Sequence, residues 1–153
     1  MRRIPKFAIA LALLAPSFTQ DVQSQEATET KTIYWSDGDS GRINGIRFRL
    51  ANVDAPETDG IGARGGAKCE NERKLGYEAK QFVVNFTRDK TLKIASNYGY
   101  DRYERLVIDL QANGIDVGTA AITSNFLAPW PHKGRKALSQ KPDWCKMDSR
   151  REN

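Results

Sequence analysis

Asn44-Gly45 stands between short apolar-alternating runs, Arg42-Ile43 before it and Ile46 to Leu50 after it. Asn-Gly provides the two positive-φ residues of a type I′ turn, so this dipeptide commits the chain to a tight antiparallel hairpin. Beyond the turn Ile46, Phe48 and Leu50 share one face, while Arg47 and Arg49 share the other. That alternation predicts a half-buried strand with its arginines outside the core. Upstream, Thr32-Ile33-Tyr34-Trp35 is β-branched and aromatic, which predicts a further strand. From Cys69 onward the period changes: Leu75, Ala79, Phe82, Val83 and Phe86 recur at helical spacing, an amphipathic helix of about four turns. Thr91 to Ser96 returns to strand, and Asn97 to Asp101 is rich in turn residues. Tyr103 to Gln111 alternates again, with Leu106, Ile108 and Leu110 inward and Arg105, Val107 and Asp109 outward. Asn113-Gly114 closes that strand, and Asp116 is placed to cap a short helix running to Ser124.

Strand, hairpin, helix, two strands and helix, in that order, suit an α+β fold. Short antiparallel strands with one long helix inserted fit a five-stranded Greek-key barrel of the OB type with two to three helices. The chain has 153 residues, room for one domain. A domain of roughly 120 residues buries a real core without needing metal or disulfide to fold. Arg2, Arg3 and Lys6 precede an unbroken apolar run from Phe7 to Ala15, and polar residues follow. A basic start, a short apolar run and then small and polar residues read as a secretory signal peptide over about residues 1–24. The run is shorter than the roughly 20 residues a membrane helix needs. Residues 25–30 then form a polar linker, 31–145 the folded domain and 146–153 a polar tail. The protein is expected to be exported, periplasmic or secreted, and to act as a monomer with no stable membrane association.

The formal net charge is +5, but Arg2, Arg3 and Lys6 supply three of those charges. Overall basicity therefore says little about partners, and only clustered charge is informative. One cluster follows Trp130: His132, Lys133, Arg135, Lys136 and Lys141, which reads more readily as a solvated loop than as a binding surface. The two cysteines, Cys69 and Cys145, suit one disulfide in an exported chain or, alternatively, two buried thiols. A bridge would close a loop of about 75 residues, for which chain entropy gives roughly 4–5 kcal/mol as an upper figure. With one histidine, two lone cysteines, no G-x-S-x-G elbow, no phosphate-binding glycine loop and no H-E-x-x-H, several hydrolase and zinc chemistries are excluded. The chain is instead rich in carboxylates and arginines near strand ends. Carboxylates bind hard cations and arginines grip phosphate, which are the parts of a phosphoryl-transfer site. Asp37-Gly38-Asp39 sets two carboxylates in a tight turn, which by itself reads more readily as a solvated Asp-Gly turn than as a metal site; as an EF-hand it fails, because Phe48 stands at the twelfth position. Asp54-Ala55-Pro56-Glu57 places two more at the end of a strand that the proline stops.

D-G-D-S, N-G-I-R-F-R-L, V-D-A-P-E and D-R-Y-E-R, in this order and spacing from Thr32 to Trp130, resemble the staphylococcal nuclease-like family. The ending at Trp144-Cys145 is similar to that of shorter exported bacterial members. The resemblance implies a calcium-dependent nuclease that hydrolyses DNA, single- or double-stranded, and RNA with low sequence preference, leaving 3′-phosphate ends. It implies Asp39 and Asp54 as calcium ligands, with the backbone carbonyl of Ala55 as a third. Glu57 matches the general base, and Arg49 and Arg105 match the two arginines that grip the scissile phosphate. Tyr103 and Trp130 are candidates for stacking on base or sugar, with Arg102 beside them.

Two positions depart from the family pattern. Glu104 replaces the glycine of Asp-Arg/Lys-Tyr-Gly-Arg, which demands that the turn accept a Cβ and sets a carboxylate beside Arg105. Asn125-Phe126 replaces the usual Gly-Leu. The competing expectation is therefore an OB-fold module that holds nucleic acid without cutting it, and a third is a calcium-binding envelope protein.

Overall fold

The computed structural model describes residues 32–147. The signal peptide over residues 1–24 and the linker over 25–30 lie outside the described residues, as does most of the tail. The first hairpin forms where Asn44-Gly45 predicts it. Both residues have positive φ, 48° and 81°, and they join β2 (Ser40–Ile43) to β3 (Ile46–Leu50). β1 (Ile33–Trp35) pairs antiparallel with β2. Phe48 and Leu50 are buried, but Ile46 is 48 % exposed. It sits at the hairpin tip, beyond the reach of the core. β4 (Val53–Asp54) follows a turn at Ala51-Asn52, and the long helix α1 spans Glu70–Thr87. Cys69 caps that helix by accepting the Glu72 N–H, and the Glu72 carboxylate reaches back to the Lys68 N–H at 2.7 Å.

β5 (Leu92–Tyr100) is longer than its composition suggests. Asn97 to Tyr100 remains in the ladder to β6 (Leu106–Ala112) through two register shifts, so the turn residues are absorbed as bulges. β6 alternates as predicted, with Leu106, Ile108, Leu110 and Ala112 buried. β7 (Ile115–Asp116) leads into α2 (Val117–Thr123), and the Asp116 carboxylate caps it by accepting the Thr119 N–H at 2.7 Å. Three short strands complete the chain: β8 (Ala128–Pro129), β9 (His132–Lys133) and β10 (Lys136–Ala137).

The main sheet runs β1-β2-β3-β6-β5, with β7 added to β6. All its pairings are antiparallel except β3 with β6, which is parallel and sets Arg49 opposite Val107. The fold is the α+β arrangement expected. Among the described residues β1 and β5 remain the two edges of the five-strand path, so hydrogen bonds do not close the sheet into a barrel. One face packs on α1 and α2 around Trp35, Phe48, Leu50, Val83, Ile108 and Leu110. Trp35 donates its indole N–H to Thr87 Oγ1 at 3.0 Å, tying β1 to the end of α1.

Two glycines let the helix approach the segments that carry the acidic residues. A Cβ on Gly38 would meet Ala79 Cβ at 2.9 Å and Ala55 Cβ at 3.0 Å. A Cβ on Gly76, in α1, would collide with the carbonyl oxygens of Glu57 and of Pro56, the latter at 2.8 Å. Backbone carbonyls have no rotamer by which to yield. Gly76→Ala is expected to destabilise the fold by about 1–3 kcal/mol, as overpacking does, read as a lower midpoint in urea unfolding.

Candidate active site

Four elements converge on one acidic centre. The turn after β1 brings Asp39, whose position is fixed by Asp37: its carboxylate accepts from the backbone N–H groups of Asp39 and Ser40 at 3.0 and 2.7 Å. β3 brings Arg49, and the β4–β8 pairing holds Asp54 opposite Ala128. The loop toward α1 carries Ala55 and Glu57. Arg49 is the hub. Its Nη2 lies 3.2 Å from Asp39 Oδ2 and 3.6 Å from Asp54 Oδ1, and donates to Val53 O at 3.1 Å. Asp39 Oδ2 also accepts the Ala55 N–H at 3.2 Å.

Glu57 joins this group through a residue that pattern reading left as part of a solvated basic cluster. Lys141 Nζ lies 3.4 Å from Asp54 Oδ1 and 3.3 Å from Glu57 Oε1. Three residues on, Trp144 is buried and donates its indole N–H to Asp54 Oδ2 at 2.8 Å. The segment carrying both is fastened to the start of α1. Cys145 is disulfide-bonded to Cys69, with Cα atoms 6.0 Å apart, and Asn71 Nδ2 donates to the carbonyls of Trp144 and Met147. The Trp-Cys ending and the paired cysteines signal that this segment returns to the domain, but not which groups it meets.

Burial pushes the Asp39 carboxyl up to about 8, against the pull of Arg49 and with help from neighbouring Asp37, Asp54 and Glu57. Burial also raises Asp54, although Trp144, Lys141 and Arg49 all oppose it. Glu57 is raised for the same reason, with Lys141 opposing and Asp37 and Asp54 adding. Burial alone would lower Lys141, but Asp54 and Glu57 outweigh it and hold the ammonium above its ordinary value. Three carboxyls raised chiefly by burial, with two cationic side chains among them, describe a centre poorly served by water.

The other predicted residues form a second group. Asp101 accepts from the Tyr103 and Arg105 N–H groups at 2.8 and 3.0 Å and pairs with the Arg105 guanidinium at 2.8 Å. Burial would raise Asp101, but these bonds win and hold its carboxyl below the usual range. Arg102 and Arg105 lie 4.7 and 5.3 Å from the centroid of the exposed Tyr103 ring. No contact among the described residues joins Arg105 to Asp39, Asp54 or Glu57. It lies in the turn just before β6, two residues from Val107, which pairs in register with Arg49. Trp130 belongs to the first group, its ring centroid 5.3 Å from the Arg49 guanidinium carbon.

Glu104 adopts the left-handed conformation, φ 59°, and so does Asn125, φ 59°. Both therefore keep the backbone that glycine would take most easily. Asn tolerates that region; glutamate does not do so readily.

An oxygen-only set of carboxylates and a carbonyl is what a hard divalent cation prefers. Among the described residues no three or more acidic, histidine or cysteine side chains form a ready cluster around one point. A cation here would rest on two carboxylates, a carbonyl and water. On this small α+β domain the site gathers two buried carboxylates around one arginine, with the Trp130 ring against the guanidinium. The family model described as staphylococcal nuclease homologue matches residues 47–129, and the chain belongs to that family. Membership points to a nuclease, a hydrolase with nucleic acid as its substrate. A search of curated proteins finds no match.

Trp144→Phe keeps the ring buried but leaves Asp54 Oδ2 without its donor. It is expected to cost about 1–3 kcal/mol, the penalty of an orphaned buried polar group, seen as a fall in thermal midpoint. Glu104→Gly works in the opposite sense. Relief of the left-handed strain, less glycine's entropy, should raise stability by about 0.5–1 kcal/mol, and an unchanged melting temperature would count against strain at that turn.

Proposed function

We propose that this protein is a calcium-dependent phosphodiesterase that cuts DNA and RNA with little sequence preference and leaves 3′-phosphate ends. The observation that carries the reading is the convergence of Asp39, Asp54 and Arg49 at 3.2–3.6 Å, with Glu57 joined to it through Lys141. Asp39, Asp54 and the Ala55 carbonyl would hold the cation. Calcium, when bound, supplies positive charge that polarises a phosphate oxygen. Glu57 takes the proton of the attacking water. Arg49 and Arg105 donate to the phosphate oxygens and stabilise the charge that develops there. Among the described residues, the polar contacts of Arg49 run through Nη2, so the rest of its five-donor fork can face a phosphate. Arg102, Tyr103 and Trp130 offer a basic and aromatic platform on which any base can stack. The Cys69–Cys145 bridge and the leader-like sequence at Met1–Ala15 support action outside the cytoplasm.

The test is release of acid-soluble fragments from heat-denatured DNA and from RNA, in calcium and then in EDTA. Release should depend on calcium and vanish in Glu57→Ala, while Arg49→Ala and Arg105→Ala should each lose on the order of 10²–10³ in kcat. A folded protein that binds single-stranded DNA without releasing fragments would replace this reading with that of a binding module.

A further inference from the structure

The two oxygens of Asp54 are not equivalent. Oδ2 is sequestered by the buried indole N–H of Trp144. Oδ1 faces the centre and is shared by Lys141 at 3.4 Å and Arg49 at 3.6 Å. A divalent cation reaching Asp54 must therefore approach Oδ1, against a positive charge already standing there. Arg49 is held in place by Asp39, Val53 and the Trp130 ring. Among the described residues Lys141 is held by Asp54, Glu57 and a distant approach to Trp130, and its side chain is 37 % exposed. Its long stem can swing into water at little cost. The backbone beneath it cannot drift, since Trp144 is buried and Cys145 is bonded to Cys69 three and four residues further on. The ammonium is thus kept at high local concentration beside the centre, as a linked ligand is.

We propose that Lys141 is a tethered counter-cation that competes with a divalent cation for Asp54 while also pairing Glu57. Standing between these two carboxylates, it keeps them from repelling one another. Entry of the cation displaces it, so the strap from Lys141 to Cys145 sets the calcium concentration at which the centre fills. This inference rests on the calcium reading above.

Titration of CaCl2 into the purified full chain by calorimetry tests it. Lys141→Met keeps the stem and removes the charge. It should bind calcium about tenfold more tightly than the parent, the equivalent of two partly exposed ion pairs no longer competing. Lys141→Arg, which restores the charge, should return the affinity toward the parent value. Thermal melts in EDTA and in calcium give a second readout: the methionine variant should melt lower in EDTA and gain more from calcium than the parent. If the parent binds calcium and Lys141→Met binds equally or more weakly, the competition is overturned while the calcium site stands. If neither protein binds calcium, the metal reading falls and takes this inference with it.

Discussion

Arg49 is the interaction on which the site depends. A single guanidinium nitrogen reaches both Asp39 and Asp54, two carboxylates that are 6 % and 1 % exposed. Carboxylates withdrawn from water this far cost several kcal/mol each unless they are paired. Arg49 is shared between the two and Lys141 adds a second cation at Asp54 alone, so a deficit of solvation remains. Burial accordingly pushes Asp39 up to about 8. The fold tolerates this deficit instead of replacing the carboxylates with apolar residues, as a purely structural centre could. Stability is being given up at a fixed place, and fixed places of that kind are where functional sites concentrate.

The deficit is held in position by close backbone approach. Gly38 and Gly76 let the turn bearing Asp39 and the loop bearing Glu57 press on α1 to within contact of Ala79 and of the helix backbone. Either glycine with a Cβ would push one carboxylate-bearing segment away from the other. The same helix supplies, at its first turn, the anchor for the C-terminal strap through Cys69 and Asn71. One helix therefore sets the spacing of the whole centre, from the first turn of the sheet to a tryptophan 90 residues after Asp54.

Much of this was legible in the sequence. The Asn44-Gly45 hairpin, the β6 alternation, the course of α1 and the Asp116 cap all follow from local chemistry, where turn residues and side-chain period act within a few positions. Local chemistry failed where tertiary context decides. Ile46 matches the apolar face but lies past the edge of the core, and Asn97 to Tyr100 looks like a turn but stays in a bulged ladder. The acidic centre was readable from the order and spacing of its motifs, which resemble those of the family; residue types alone left solvated turns as the alternative. Lys141 and Trp144 were not readable. They stand 84 and 90 residues from the groups they touch, and no spacing rule spans that distance without the fold.

The departure at Glu104 can be weighed in the same terms. Its φ of 59° shows that the turn keeps the backbone shape glycine would give it, and Asp101 still collects the N–H groups of Tyr103 and Arg105. The substitution has therefore strained the turn without reshaping it. Arg105 remains paired to Asp101, its ordinary neighbour in that turn, and not to the new carboxylate. What Glu104 changes is charge at an exposed position beside Tyr103 and Arg102. A negative charge there repels a phosphate backbone over about a Debye length, roughly 8–10 Å at physiological salt. Its effect should thus fall on how the polyanion is held, and on how that holding varies with salt, more than on the buried group of Asp39, Arg49, Asp54 and Glu57.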